Sequence, residues 1–210
     1  NDRIELVMSI GAVATIRHFV SNRDIHIFTA GSEFFIPTFQ NEPITPTNAR
    51  VKRQTSFGST FVRPQPFYGA TIFSQIGGKM IRQFVFDDGQ NAYKADPISL
   101  LSSHLINDPV QMCVISGAVN TAESFVFAQN FTGEIAVYNL NRVEGVAGWT
   151  RFETNGSFHS VTAIDNRVFA VIKTNLGSGT NSFVFTELNQ NVSLDLGNTY
   201  TGTAGVFTVS

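Results

Sequence analysis

Apolar and polar residues alternate in short runs along this chain, and the runs fall into four stretches of similar outline. They are "TIRHFVSNRDIHIFTAGSEFFI" (residues 15–36), "FVRPQPFYGATIFSQIGGKMIRQFVF" (61–86), "PVQMCVISGAVNTAESFVFAQNFTGEIAVYNL" (109–140) and "HSVTAIDNRVFAVIKTNLGSGTNSFVFTEL" (159–188). Each has a short apolar run, a polar or Gly-containing break, a compact aromatic strand, a glycine turn and a further strand. In "RDIHIFT", Ile25, Ile27 and Thr29 share one face while His26 and Phe28 share the other, the period of a β-strand. The turns "TAGSE", "IGGK", "NFTGE" and "LGSGTN" put glycine where hairpins need positive φ.

The compact strands "IHIF", "TIFS", "SFVFA" and "VFAVI" begin near residues 25, 71, 124 and 168. A period of roughly 45 to 53 residues, with several strands per unit, is how a β-propeller shows itself in sequence. The expected fold is all-β: a β-propeller-like domain of about four blades of short antiparallel strands, spanning residues 1–190. The intervals "ARVKRQTSF", "QNAYKA" and "GWTRFE" offer an outer strand for the first three units, which places the single Trp149 on an outer strand packed against a neighbouring blade. Nothing comparable follows the fourth unit, so "RIELVMSI" within residues 1–10 is a candidate closing strand. Residues 191–210 read as the start of a further β segment. The chain lacks an initial Met and stops inside a strand-like run, so it is expected to be a segment of a longer protein.

One stretch breaks the β pattern. "DPISLLSSHLIND", residues 96–108, predicts an inserted helix with Asp96 as N-cap, Pro97 in the first helical position and Ile98, Leu101 and Leu105 forming an apolar face. Residues 37–48, "PTFQNEPITPTN", are Pro-rich and predict an exposed loop.

Composition narrows the function classes. Charged residues make up 14% and hydrophobic ones 42%, with 20 Phe against 4 Tyr and 1 Trp, which fits a packed β-rich domain and not a disordered tail. A formal charge of −2 carries no basic surplus for tight nucleic-acid binding. Cys113 is alone, which excludes an internal disulfide and a Cys-rich zinc site, and "VQMCVI" makes it a small buried hydrophobe. No apolar run approaches the roughly 18 residues of a membrane-spanning helix.

Catalytic patterns are missing. His18, His26, His104 and His159 lie in separate units without metal-ligand spacing, there is no G-x-S-x-G elbow, and "GSGTN" lacks the Lys of a phosphate loop. "DDGQN", Asp87 to Asn91, has calcium-loop residue types without the spacing and reads as a solvated turn. Asp87, Asp88, Asp96 and Glu134 are candidates for a glycosidase carboxylate pair by residue type alone. "NFTG", "NGSF" and "NVSL" match the N-glycosylation pattern, which an Asn- and Thr-rich chain meets by chance. The densest basic cluster is "ARVKRQT": Arg50 and Lys52 on one strand face and Arg53 on the other, as edge-strand protection or as a phosphate or subunit contact. No enzyme activity, cofactor or metal is expected.

Residues 51–106, "VKRQTSFGSTFVRPQPFYGATIFSQIGGKMIRQFVFDDGQNAYKADPISLLSSHLI", resemble the tail nozzle proteins (tail tubular protein B) of short-tailed bacteriophages. The similarity lies in "RQTSFGS", in "RP" before a strand, in the F-x-Q-x-GG-x-x-IR hairpin and in Y-x-A-D-x-x-SLLSSHL. It continues in "GEIAVYNL" and in "GWTRFETNGSFHSV", and covers roughly residues 15–190. The segment "SGAVNTAESFVFAQNFTGEIA" departs from it in length. The resemblance implies a virion structural protein of the phage tail: a homo-oligomeric ring, commonly hexameric, below the portal and adaptor, with docking surface for tail fibres. It also implies transient passage of double-stranded DNA during ejection, and no membrane insertion by this segment. The other reading is a carbohydrate-binding or glycan-cleaving propeller, which needs aromatic and polar side chains gathered at one ring face. Trp149 buried between blades favours the first reading, and Trp149 exposed beside two carboxylates the second.

Overall fold

A computed structural model describes residues 15–38, 43–116, 124–141, 144–175 and 181–188. The first sheet holds β1 (Ile16–Ser21), β2 (Ile25–Thr29), β3 (Glu33–Ile36) and β4 (Lys52–Thr55). The second holds β5 (Gln65–Phe67), β6 (Ala70–Ser74), β7 (Ile81–Asp87) and β8 (Ala92–Pro97). The third holds β9 (Pro109–Ser116), β10 (Ser124–Asn130), β11 (Ile135–Asn141) and β12 (Val146–Phe152). The fourth holds β13 (Ser157–Ile164), β14 (Arg167–Asn175) and β15 (Asn181–Leu188). All pairings are antiparallel, and within each sheet the spatial order is the chain order. The four compact strands read from the sequence are β2, β6, β10 and β14, and the three outer ones are β4, β8 and β12. The fold is all-β in four small sheets, and no closure into a barrel or propeller is seen among the described residues. The candidate closing strand in residues 1–10, and residues 191–210, lie outside the described residues, as do residues 117–123 and 176–180, the latter holding most of the turn expected at "LGSGTN".

Successive sheets pack face to face, and three apolar layers fill the gaps. Val20, Phe28 and Phe35 of the first sheet meet Phe73, Phe84 and Tyr93 of the second. Phe67, Ile72 and Ile81 meet Met112, Val126, Ala128 and Tyr138. Cys113, Phe127, Ile135 and Val137 meet Phe158, Val161, Val168 and Ala170. Inner strands thus bury both faces: along β6, Ile72 points into one layer and Phe73 into the other. Two-sided burial explains why these strands read as nearly continuous apolar runs and why Phe dominates the aromatics. Cys113 fills such a layer as expected, and burial pushes its thiol up to about 12, leaving it an inert hydrophobe. Trp149 also sits as expected: on β12, its indole N–H donates to the Ile98 carbonyl at 2.8 Å and its ring lies against Tyr138.

The inserted helix is shorter than expected and begins later. It is a 3₁₀ helix over Leu100–Leu105, kinked at Ser102, with Ser99 in the N-cap position. Asp96 and Pro97 instead end β8, opposite Gln83 and Arg82. The Ile98 N–H continues the ladder by donating to the Ile81 carbonyl at 3.1 Å, so strand pairing outcompetes the cap there. Ile98 and Leu105 pack on the second layer, but Leu101 is 95% exposed and belongs to no apolar face. The Pro-rich stretch also does more than cross solvent: Ile44 and Val51 pack over Ile27, Phe34 and Ile36 on the outward face of the first sheet.

One joint recurs between sheets. The Ser59 N–H donates to Thr29 O (2.9 Å), the Asp108 N–H to Gly78 O (2.8 Å) and the Phe158 N–H to Gly133 O (2.7 Å). In each case the segment leading into a new sheet is held by the turn between the second and third strands of the sheet before. The same segments also hold the next turn: Thr60 and Ser74, and Gly58 and Ile76, bond across the first joint, and Phe131 N–H bonds Asp108 O across the second. Close backbone approach there requires glycine. A Cβ on Gly58 (φ +71°) would stand 2.3 Å from Ala30 O, and one on Gly133 (φ +89°) 2.5 Å from Ser157 Cβ. Gly58→Ala and Gly133→Ala should each lower unfolding stability by about 2–3 kcal/mol through clash and backbone strain. Gly148→Ala, in a strand with open space around it, should stay within about 0.5 kcal/mol. Urea unfolding of the three variants checks this, and equal effects would refute the role of the joints.

Candidate functional site

The three candidate cations separate. Arg50 precedes β4 and its guanidinium donates back to the Ala49 carbonyl at 2.9 Å. Lys52 stands opposite Phe35 and Arg53 opposite Phe34, so strand alternation sends them to opposite faces of an edge strand. Of the three, Lys52 lines a cleft to which neither Arg50 nor Arg53 contributes.

The cleft, of about 330 Å³, is lined by Arg23, Asp24, Phe35, Pro37, Thr38, Lys52, Phe86 and Asn91. It forms where the β1–β2 turn, the facing ends of β3 and β4, and the β7–β8 turn converge. Arg23 lies over the Phe86 ring, 4.1 Å from its centroid, and touches Asp88 at 3.4 Å. The Lys52 ammonium is 5.9 Å from the Phe35 centroid. The Arg23–Asp88 pair is exposed and contributes little energy, so Arg23 remains free to meet another anion. Asn91 holds a φ of +50°, which its short polar side chain tolerates at the tip of the β7–β8 turn.

Asp24 lies buried at the base. Its Oδ1 accepts from the Thr38 N–H at 2.8 Å, and its Oδ2 from the Tyr93 hydroxyl at 2.7 Å. Tyr93 in turn stacks on Phe84 at 4.7 Å and meets the edge of His26 at 4.7 Å. Burial, reinforced by the Asp24 carboxylate, pushes the Tyr93 hydroxyl up, so it stays a neutral donor. His26, fully buried, bonds Thr71 Oγ1 through Nδ1 (3.0 Å), and burial lowers it to about 4 against the opposing pull of Asp24. The cleft therefore presents a cationic rim over a rigid, donor-saturated floor. Within the lining the Thr38 hydroxyl donates to the Arg23 carbonyl at 2.6 Å and stands 3.4 Å from Asp24 Oδ1, while Arg23 and Lys52 supply the cationic groups of the rim.

The other sequence candidates do not assemble with it into a catalytic constellation. His18 is half-buried on β1, His104 sits on the 3₁₀ helix and His159 is exposed beside Phe183. Among the described residues no three His, Cys, Asp or Glu side chains gather as a metal cluster. The "DDGQN" stretch is a turn in which Asp87 Oδ1 accepts the Gly89 and Gln90 N–H groups. Lys94 bridges Asp87 (3.7 Å) and Asp96 (3.3 Å), while Glu134 sits on another sheet beside Arg151. Asn130 of "NFTG" is buried, its side chain bonding the Asn107 N–H and the Leu105 carbonyl, which closes it to a glycan. Sequence reasoning missed Glu33, a buried carboxyl bonded by Thr55 and the Phe57 N–H, which burial pushes above its ordinary value. Its only signal was an acid beside the apolar run "FFI".

Compared with models of protein families and with curated proteins, this chain matches none. Among the described residues no helix is long and apolar enough to cross a membrane.

The depressed His26 sets an acid limit on stability. The unfolded chain takes up its proton near 6.5 and the folded chain only near 4, so stability is full above 6.5 and falls as pH drops towards 4. The loss from this group should reach at most about 3 kcal/mol. In His26→Gln the difference in stability between pH 7 and pH 4.5 should shrink correspondingly. An unchanged difference in paired urea titrations would remove His26 from the cause.

Proposed function

We propose that this chain is a propeller-like structural domain of a short-tailed phage tail nozzle, its four sheets acting as blades. In that role it is part of a homo-oligomeric ring, hexameric by the resemblance, that adjoins the adaptor and portal, offers docking surface to tail fibres and passes genomic DNA during ejection. The observation that carries the reading is where the nozzle-like residues fall. "RQTSFGS" is β4 running into the joint at Gly58 and Ser59, the GG pair is the turn whose Gly78 receives Asp108, and "SLLSSHL" is the linker helix of the second joint. "TNGSF" leads through Gly156 to Phe158 of the third joint, where a Cβ on Gly156 would stand 2.1 Å from Lys173 O. The similar residues are thus those that set one sheet against the next, as expected if the resemblance reflects shared architecture.

Charge suits a conduit. Each firm phosphate contact would add salt-dependent retention, and a chain of net charge −2 avoids it. The carbohydrate reading draws no support from Trp149, whose ring is packed on the layer between the second and third sheets instead of lining a cleft with carboxylates.

Immunogold electron microscopy of virions, with antibody against this domain, tests the proposal. Gold confined to the tail vertex is the expected result. Unlabelled particles, with the domain found soluble elsewhere, would defeat it and send effort to glycan-binding assays.

A further inference from the structure

A serial stack of sheets has two terminal faces, and in this chain they differ. The outward face of the first sheet is largely covered by Ile44 and Val51, with Phe19 left 62% exposed. The outward face of the fourth sheet is open among the described residues: Phe169 and Phe185 stack on each other at 5.5 Å, and Phe183 and Phe185 are 60% and 70% exposed. At the rim of that face stands the β13–β14 turn, Asp165 and Asn166, both at positive φ, flanked by Ile164 at 57% exposure. Arg167 beside it is paired with Glu187, so Asp165 is the free charge of the tip. This is the same turn, between first and second strands, that in the first sheet carries Arg23 and Asp24 of the cationic cleft.

Resting on the ring reading above, we propose that a second copy of this chain docks head to tail, the Asp165 turn of one copy seated in the Arg23–Lys52 cleft of the next. Head-to-tail contacts with a closing rotation make rings, and in a ring every copy points the same way. Key and lock must therefore lie at one level of the molecule yet at opposite ends of the sheet order. Both turns join the first and second strands of their sheets, and those sheets stand first and last in the chain order. The charge available to an incoming Asp165 comes mainly from Lys52, which has no ion pair among the described residues, with Arg23 shared with Asp88 at 3.4 Å and the Asp24 carboxylate held below by Thr38 and Tyr93. The same approach covers the open Phe face, whose apolar area supplies the affinity while the charges set the register.

Analytical ultracentrifugation of the whole chain at two salt concentrations reads the contact. The wild type should associate in a concentration-dependent way, more weakly at high salt. Asp165→Asn and Lys52→Glu should each weaken association about tenfold, and Lys52→Glu combined with Asp165→Lys should restore it. Phe185→Lys should abolish it. These positions are exposed, and circular dichroism confirms that each variant folds. A chain that stays monomeric, or a double swap no better than Lys52→Glu, overturns the docking. Association indifferent to all these changes also overturns it while leaving the ring to other surfaces, whereas absence of label on virions defeats the nozzle reading whatever the association shows.

Discussion

The backbone hydrogen bond that ties each new sheet to the second turn of the sheet before it is the constraint on which this molecule depends. Side-chain layers alone would let two sheets slide, because apolar contacts are non-directional. A bond of 2.7–2.9 Å from Ser59, Asp108 or Phe158 to a turn carbonyl fixes both spacing and level. Since the same linkers also grip the following turn, the position of each sheet is inherited by the next. Glycine is needed because the backbones approach more closely than a Cβ permits.

This gathers the backbone joints at one end of the sheets. The second-turn end is filled by linkers and joints. The first-turn end is tied by side chains, Asn22 Nδ2 donating to Ala70 O at 3.0 Å and Ser124 Oγ to the Tyr68 hydroxyl at 2.8 Å, and it carries the cleft between the first two sheets and the Asp165 turn of the fourth. Rigid support with variable turns is the usual division of labour in β architectures. Here it is enforced by the aromatic layer beneath: Tyr93 fixes Asp24, Asp24 fixes Thr38, and Phe35 and Phe86 support Lys52 and Arg23.

Sequence periodicity revealed the strands because two-sided burial makes them apolar along their length and glycine marks their turns. Trp149 was placed correctly because a lone large ring beside a polar break belongs on a partly buried outer strand. The helix was misplaced because Asp96-Pro97 is a good cap and also a good strand end, and only the ladder to Gln83 and Arg82 decides between them. Of the cleft's eight lining residues, Lys52 alone was a candidate contact. Lys52 stood out within a basic run, but Arg23, Thr38 and Asn91 come from separate turns, and no local pattern announces that they meet. Glu33 was invisible for the same reason: its partners lie 22 and 24 residues away, on the neighbouring strand β4 and just beyond it.

The unequal terminal faces bear on how such a stack ends. An interior sheet buries the apolar side chains of its central strands on both faces, because a neighbour lies on each side. A terminal sheet must be covered by its own chain, by the opposite terminus or by another molecule. The first sheet uses its own Ile44 and Val51, carried on the long β3–β4 connection. The fourth sheet leaves Phe183 and Phe185 bare and has three strands where the others have four, so both a face and an edge of β15 remain open among the described residues. Open edges and faces are costly to leave in solution. The fourth sheet's open Phe face and the first sheet's partly covered face differ, so the two ends of the stack offer unlike surfaces to another molecule.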